Sequence, residues 1–192
     1  MTPIAAALAL GPIALASRSP QRRMILEQAG VAYTVVESSY REGPQPGVPA
    51  EALVQLHARG KALGVAAPTA VLGVDTVVEL DGVILGKPGD RAEAGEHLRR
   101  LSGRRHRVHS GIHLTDGVRA IEAVETTAVT FAELDDADVD WYLGTEEWRG
   151  RAGGYAIQGR GAALVTRVDG DYLNVVGLPL RALLEALTAL SA

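Results

Sequence analysis

Apolar residues along this chain come in short blocks, punctuated by glycine, proline and aspartate. Ile13 to Ala16 is an apolar run of strand length. Ser19-Pro20 then has the signature of a helix N-cap followed by proline in the first turn. That helix is predicted to stop at Gly30. Its inward stripe carries Arg22 with Leu26 and Ala29. Tyr33 to Val36 is a second short strand. The segment Gly43 to Pro49 holds three prolines and two glycines, which predicts a loop. Ala50 to Ala66 has helical spacing, and Val71 to Leu80 is a β-branched strand ended by the hairpin signal Asp81-Gly82. Ala92 to Leu101 is predicted as a helix, Arg107 to Leu114 and Val118 to Phe131 as strands around Asp116-Gly117, and Asp135 to Leu143 as a helix. Residues 144 to 161 are rich in glycine and show little periodicity. A hairpin around Asp169-Gly170 is expected within Ala163 to Val176, and Leu178 to Leu190 is the last helix. The pattern gives a mixed α/β protein with long hairpins, with no repeat and no linker, so residues 1 to 192 are expected to form one domain or two closely packed lobes.

Composition narrows the picture. Of 192 residues 47% are hydrophobic and only 4% aromatic, which excludes disorder and requires a core of small and branched aliphatics. The net charge of -4 lacks the basic balance of a nucleic-acid binder. There is no cysteine, which removes thiolate metal sites, disulfides and cysteine nucleophiles. Residues Ile4 to Ser17 superficially look like a secretory leader. No Lys or Arg precedes them and Gly11-Pro12 interrupts them, so a strand entering the fold is expected instead. The run is too short to cross a bilayer, and a cytoplasmic protein without membrane partners is expected.

Four stretches carry candidate chemistry. Ser17-Arg18-Ser19-Pro20-Gln21-Arg22-Arg23 joins a strand to a helix start, where free backbone N–H groups, hydroxyls and guanidiniums suit a phosphate. A cation at Arg22 on an inward stripe needs a partner; the plainer alternative is an arginine snorkelling from a helix end. Asp75 interrupts the apolar strand Val71 to Val78. A carboxylate there is either a metal ligand or a base for water, or a strand-edge group meeting solvent. Lys87, in Gly86-Lys87-Pro88, returns from the Asp81-Gly82 turn toward Asp75 and is either a phosphate contact or a surface lysine. The glycines around Gln158 allow close backbone approach, and Gln158 has a donor and an acceptor for a base edge; a flexible loop is the alternative. His57, His97, His106, His109 and His113 show no metal-ligand spacing and are expected to be structural or exposed. No Ser-His-Asp order, Walker loop or dinucleotide fingerprint is present.

Taken together, six stretches in order resemble the Maf family of nucleotide pyrophosphatases: LASRSPQRRMIL from Leu15, ARGKA from Ala58, VLGVDTVVELDGVILGKP from Val71, LSGRRHRVHSG from Leu101, RAGGYAIQGRGAALV from Arg151 and GDYLNVVGLPL from Gly170. The resemblance implies an α/β fold related to the ITP pyrophosphatases, with two lobes around a nucleotide cleft, a divalent cation (magnesium or manganese) and a homodimer. It places Asp75 at the catalytic acidic position and, with Glu42, at the metal. It places Ser17 and Arg22 in the phosphate-binding motif, and Lys61 and Lys87 at the family's two lysines. Arg22, Thr76 and Gln158 fall on the positions of the subgroup acting on dTTP and UTP. Four positions depart from the usual pattern: Gln21 stands for arginine, Val74 for alanine, Arg151 for lysine, and Arg41 for the first acid before Glu42.

The expectation is a nucleoside triphosphate pyrophosphatase releasing monophosphate and pyrophosphate, acting on dTTP, UTP or a modified nucleotide to keep the nucleotide pool clean. Two rivals are a nucleotide-binding regulator of septum formation that does not depend on hydrolysis, and a general phosphate or sugar-phosphate hydrolase.

Overall fold

The computed structural model describes residues 11–43 and 45–191. The expectation for Ile4 to Leu10 therefore lies outside the described residues. Strand β1 is Ile13–Leu15, helix α1 Pro20–Gln28, β2 Tyr33–Val35, α2 Ala50–Leu63, β3 Val71–Leu80, β4 Val83–Leu85 and α3 Arg91–Leu101. Then follow β5 Arg105–Thr115, β6 Ala120–Phe131, α4 Asp136–Leu143, 3-10 turns at Ala152–Gly154 and Gly159–Leu164, β7 Val165–Asp169, α5 Tyr172–Val176 and α6 Leu180–Ser191. The strands form one mixed sheet in the order β2-β1-β3-β5-β6-β7, with β4 paired to β3. β1 runs parallel to both β2 and β3, while β3–β4 and β6–β7 are antiparallel. Among the described residues no helix is long and apolar enough to cross a membrane.

By its contacts the chain divides into two compact units. The first holds the residues up to Thr76 with 110–125 and 177–192; the second holds 77–109 and 126–176. β3, β5 and β6 each contribute residues to both.

In the first unit, small residues set the packing. A Cβ on Gly73 of β3 would lie 2.0 Å from the Ala58 carbonyl oxygen, and one on Gly111 of β5 2.5 Å from that of Val54. The backbone of α2 thus rests directly on these two strands, which only glycine permits. Ala14, Ala16, Ala62 and Val71 form a small buried cluster nearby. Helix α1 starts at the N-cap Ser19, whose side chain accepts from the Arg22 amide, and buries Ile25 and Leu26. α6 buries Leu183, Ala186, Leu187 and Leu190 on one face.

The second unit has an apolar core with Leu98, Leu101, Val129, Val139, Tyr142 and Trp148 among its members. His106, Phe131 and Tyr155 meet edge to face, with centroids 4.8 to 5.4 Å apart. A capping box at Asp135 and Asp138 opens α4.

One expectation needs correction here. The chain after Asp169-Gly170 does not return as a strand. Asp171 accepts from the amides of Leu173 and Asn174 at 2.7 and 3.3 Å, which starts the short helix α5. Asn174 is buried there and donates to the Val108 carbonyl and to Thr127 Oγ1. All five histidines are buried, which agrees with the structural alternative expected for them.

Candidate functional site

The first unit gathers six of the sequence-predicted residues: Ser17, Arg22, Glu42, Lys61, Asp75 and Thr76. Their positions follow from the local structure. Ser17 lies in the turn between β1 and α1, and Arg22 in the first turn of α1. Lys61 occupies the last turn of α2, and the glycine contact of Gly73 with Ala58 lowers that turn onto β3. Asp75 and Thr76 are consecutive on β3, so their side chains leave opposite faces of the strand.

Lys61 Nζ lies 2.6 Å from Asp75 Oδ1, 2.6 Å from Glu42 Oε1 and 3.3 Å from the Val74 carbonyl oxygen. Asp75 and Lys61 are largely withdrawn from solvent, while the Glu42 side chain is 45% exposed. The carboxylate in the apolar strand is therefore an ion-paired group and not a strand-edge residue facing water. Ser38 Oγ donates to the Lys61 carbonyl at 2.8 Å, which ties the loop after β2 to the end of α2. Tyr40 lies close by and its hydroxyl meets His57 Nδ1 at 2.9 Å. Burial, reinforced by the negative charges of Glu42 and Asp75, raises the Tyr40 phenol above its ordinary value.

Arg22 is buried and braced in three directions. Nε donates to the Gly177 carbonyl at 2.9 Å, Nη1 to Ser17 Oγ at 2.9 Å and Nη2 to Thr76 Oγ1 at 3.1 Å. Each terminal nitrogen thus has a second N–H beyond these bonds. Burial lowers the guanidinium below its ordinary value, opposed by the charges of Asp75 and Glu42. It stays cationic at neutral pH. Thr76 Oγ1 also meets Ser110 Oγ at 2.9 Å. At Gln21, the departure from the usual arginine, the side-chain oxygen accepts from Ser19 Oγ at 3.4 Å.

Lys87 and Gln158 belong to the second unit. Lys87 is exposed two residues beyond β4, and Gln158 is half-buried immediately before the 3-10 turn at Gly159.

The histidines do structural work. His106 Nε2 meets the Tyr155 hydroxyl at 2.8 Å, His113 Nδ1 meets Glu122 at 2.8 Å, and His109 lies between Glu79 and Thr126 at 3.0 and 2.9 Å.

Two contributors were missed from sequence. Ser110 interrupts a buried strand as Asp75 does, and the same signal would have found it. Gly177 offers only a carbonyl, which leaves no trace in the side-chain pattern.

No group of three or more His, Cys, Asp or Glu that could hold a metal occurs among the described residues. The Asp75–Glu42 pair nevertheless suits a hard divalent cation. Both carboxylates already converge on one cation, the Lys61 ammonium. One or two carboxylates completed by substrate oxygens and water is the usual protein contribution to a magnesium site. Asp75 and Glu42 could hold such an ion.

Comparison with known proteins places this arrangement in context. The Maf family, described as Maf-like protein, matches residues 12–190. A dTTP/UTP pyrophosphatase of Symbiobacterium thermophilum is 46% identical over 91% of both chains. Those of Pyrococcus furiosus and Thermus thermophilus are 44% and 45% identical, each over 88% of this chain and 90% and 89% of theirs. The solved structure of the Staphylococcus aureus Ham1 protein is 16% identical with a TM-score of 0.49, covering 93% of this chain and 97% of that one. With the family match spanning nearly the whole chain and relatives this similar over nine-tenths of their length, the protein belongs to the Maf family.

Proposed function

We propose that the protein is a nucleoside triphosphate pyrophosphatase, cleaving its substrate between the α- and β-phosphates to give a monophosphate and pyrophosphate. The observation that carries the reading is the clustering of Asp75, Lys61 and Glu42 beside a buried Arg22 that keeps donors in reserve. Charged groups held out of solvent in such proximity stabilise anions whose charge shifts during reaction. The names of the relatives point to the same reaction.

The roles follow from the chemistry of each side chain. Ser17 and the uncommitted N–H groups of Arg22 bind phosphate oxygens. Asp75 accepts the proton of a water molecule as its oxygen attacks the α-phosphorus. A new P–O bond forms, the bond from that phosphorus to the bridging oxygen breaks, and pyrophosphate leaves with the electron pair. Lys61 offsets negative charge on the phosphates as it redistributes toward the leaving group. A magnesium or manganese ion held by Asp75 and Glu42 would neutralise phosphate charge and polarise the reacting centre.

For the base we propose a pyrimidine, dTTP or UTP, or a modified nucleotide removed from the pool. Support comes from Arg22, Thr76 and Gln158 at the positions typical of that subgroup and from the names of the relatives. A cytoplasmic homodimer is the associated expectation.

The test is a panel of canonical and modified triphosphates offered to purified protein with magnesium or manganese, with both products quantified. Equal release of monophosphate and pyrophosphate, led by dTTP or UTP, is expected. Release led by a purine would overturn the base assignment. Folded protein inactive on every nucleotide would overturn the reaction and favour the binding-only regulator.

A further inference from the structure

We infer that Lys61 is the resident cation of the Asp75–Glu42 pair in the free protein, and that a divalent ion enters by displacing it from at least one of these carboxylates. The inference rests on the reading above, in which these two residues hold the metal, and adds an exchange step that governs when Lys61 can reach substrate.

The geometry sets the argument. A lysine ammonium has three N–H donors and no acceptor. Here three acceptors surround Nζ: Asp75 Oδ1 and Glu42 Oε1, both at 2.6 Å, and the Val74 carbonyl at 3.3 Å. All three donors are therefore committed to the protein. In this arrangement Lys61 has nothing to offer a phosphate. The contacts at 2.6 Å are short for charge-assisted bonds, and the Lys61 and Asp75 side chains are only 14% and 10% exposed.

Two carboxylates brought together repel unless a cation lies between them. The ammonium fulfils that requirement and holds the acids convergent before any ion arrives. A divalent ion using the same oxygens cannot share them with an ammonium bonded to both, since like charges in so confined a space repel strongly. Its entry must break at least one Lys61 contact and return an N–H donor to a side chain still tethered at the end of α2. Metal binding then frees the lysine for the phosphates, and the two events are linked by one coupling energy. Lys61 in this view is a competitor of the ion and, once displaced, a partner of the substrate.

The test uses manganese alone, without nucleotide, with binding followed by calorimetry or by the magnetic resonance of the free ion. Lys61→Met removes the competitor and is expected to bind Mn2+ about tenfold more tightly than wild type, within the range of ordinary site-to-site coupling. Lys61→Arg keeps a cation and is expected to stay near the wild-type affinity. Equal or weaker binding by Lys61→Met would overturn the exchange, since Lys61 would then only position the acids. Asp75→Asn separates the two levels of the argument. Loss of Mn2+ binding in this variant supports the metal pair whatever Lys61 does; wild-type binding would overturn the metal assignment and the exchange with it. Should Lys61→Met fail to fold, a crystal structure of wild type with Mn2+ decides. Nζ bonded to at most one carboxylate is expected, and an ion seated with Nζ still on both would overturn the proposal.

Discussion

The aromatic cluster of the second unit and the Asp75 cluster of the first bury polar groups in opposite ways. The second unit encloses His106 against Tyr155 and Phe131, a contact between uncharged groups inside an apolar core. Burial pushes the His106 imidazole down to about 4 and the Tyr155 phenol upward, so both stay neutral at physiological pH. The first unit withdraws ions instead: Arg22 is buried, and Lys61 lies between Asp75 and Glu42. A buried ion pair adds little to stability compared with apolar packing. Neutral burial serves the fold, and charge retained despite burial supports the anion-handling role proposed for the Asp75 cluster.

Asp75→Asn breaks the contrast most severely. It keeps shape and removes the charge and the base. Turnover is expected to fall by about a thousandfold or more while the circular dichroism spectrum is unchanged. Steady-state pyrophosphate release measures it.

Gly73→Ala tests whether small-residue packing places Lys61. The added Cβ would meet the Ala58 carbonyl oxygen at 2.0 Å, inside any tolerable contact. A loss of about 3 kcal/mol in chemical denaturation is expected, with activity impaired in the remaining folded protein. A Gly82→Ala control meets nothing within 4 Å and has only its positive φ of 78° to oppose it. It is expected to lose about 1 kcal/mol and keep full activity.

His106 sharpens the neutral side. Its folded value lies below the unfolded one of about 6.5, so the unfolded state takes up the proton first as pH falls. The penalty is absent above about pH 7, grows through the window between the two values and levels off below about 4. Between pH 7 and 5 this group should remove about 2 kcal/mol of stability. Urea titrations across that range, with His106→Gln as comparison, are expected to show that part of the slope vanish.

Arg22→Lys gives the smaller of the two effects on catalysis. A point charge cannot reach Gly177, Ser17 and Thr76 together, as the guanidinium does. A drop of about tenfold in kcat/KM, carried mainly by KM, is expected from kinetics on the preferred nucleotide.

Local signals are legible in the sequence and tertiary ones are not. Ser19-Pro20 marked the start of α1, and Val71 to Leu80 emerged as β3 with both ends in place. The same local reasoning identified Arg22 as an inward cation in need of partners, and Asp75 as a carboxylate set in an apolar strand. The pairing of Lys61 with Asp75 was not visible, because it depends on how far α2 slides along β3. That register is set by contacts such as Gly73 on Ala58, which no periodicity encodes. α5 was missed because a single side chain, Asp171, starts a five-residue helix where a Gly turn suggested a returning strand. Gly177 acts through its backbone and carries no side-chain signal at all.

The central claim is that water attacks the α-phosphorus of a nucleoside triphosphate. Hydrolysis of dTTP in water enriched in oxygen-18, with the products separated by mass spectrometry, tests it most directly. One labelled oxygen in the monophosphate and none in the pyrophosphate is the predicted result. Label in the pyrophosphate, or release of inorganic phosphate in place of pyrophosphate, would contradict it.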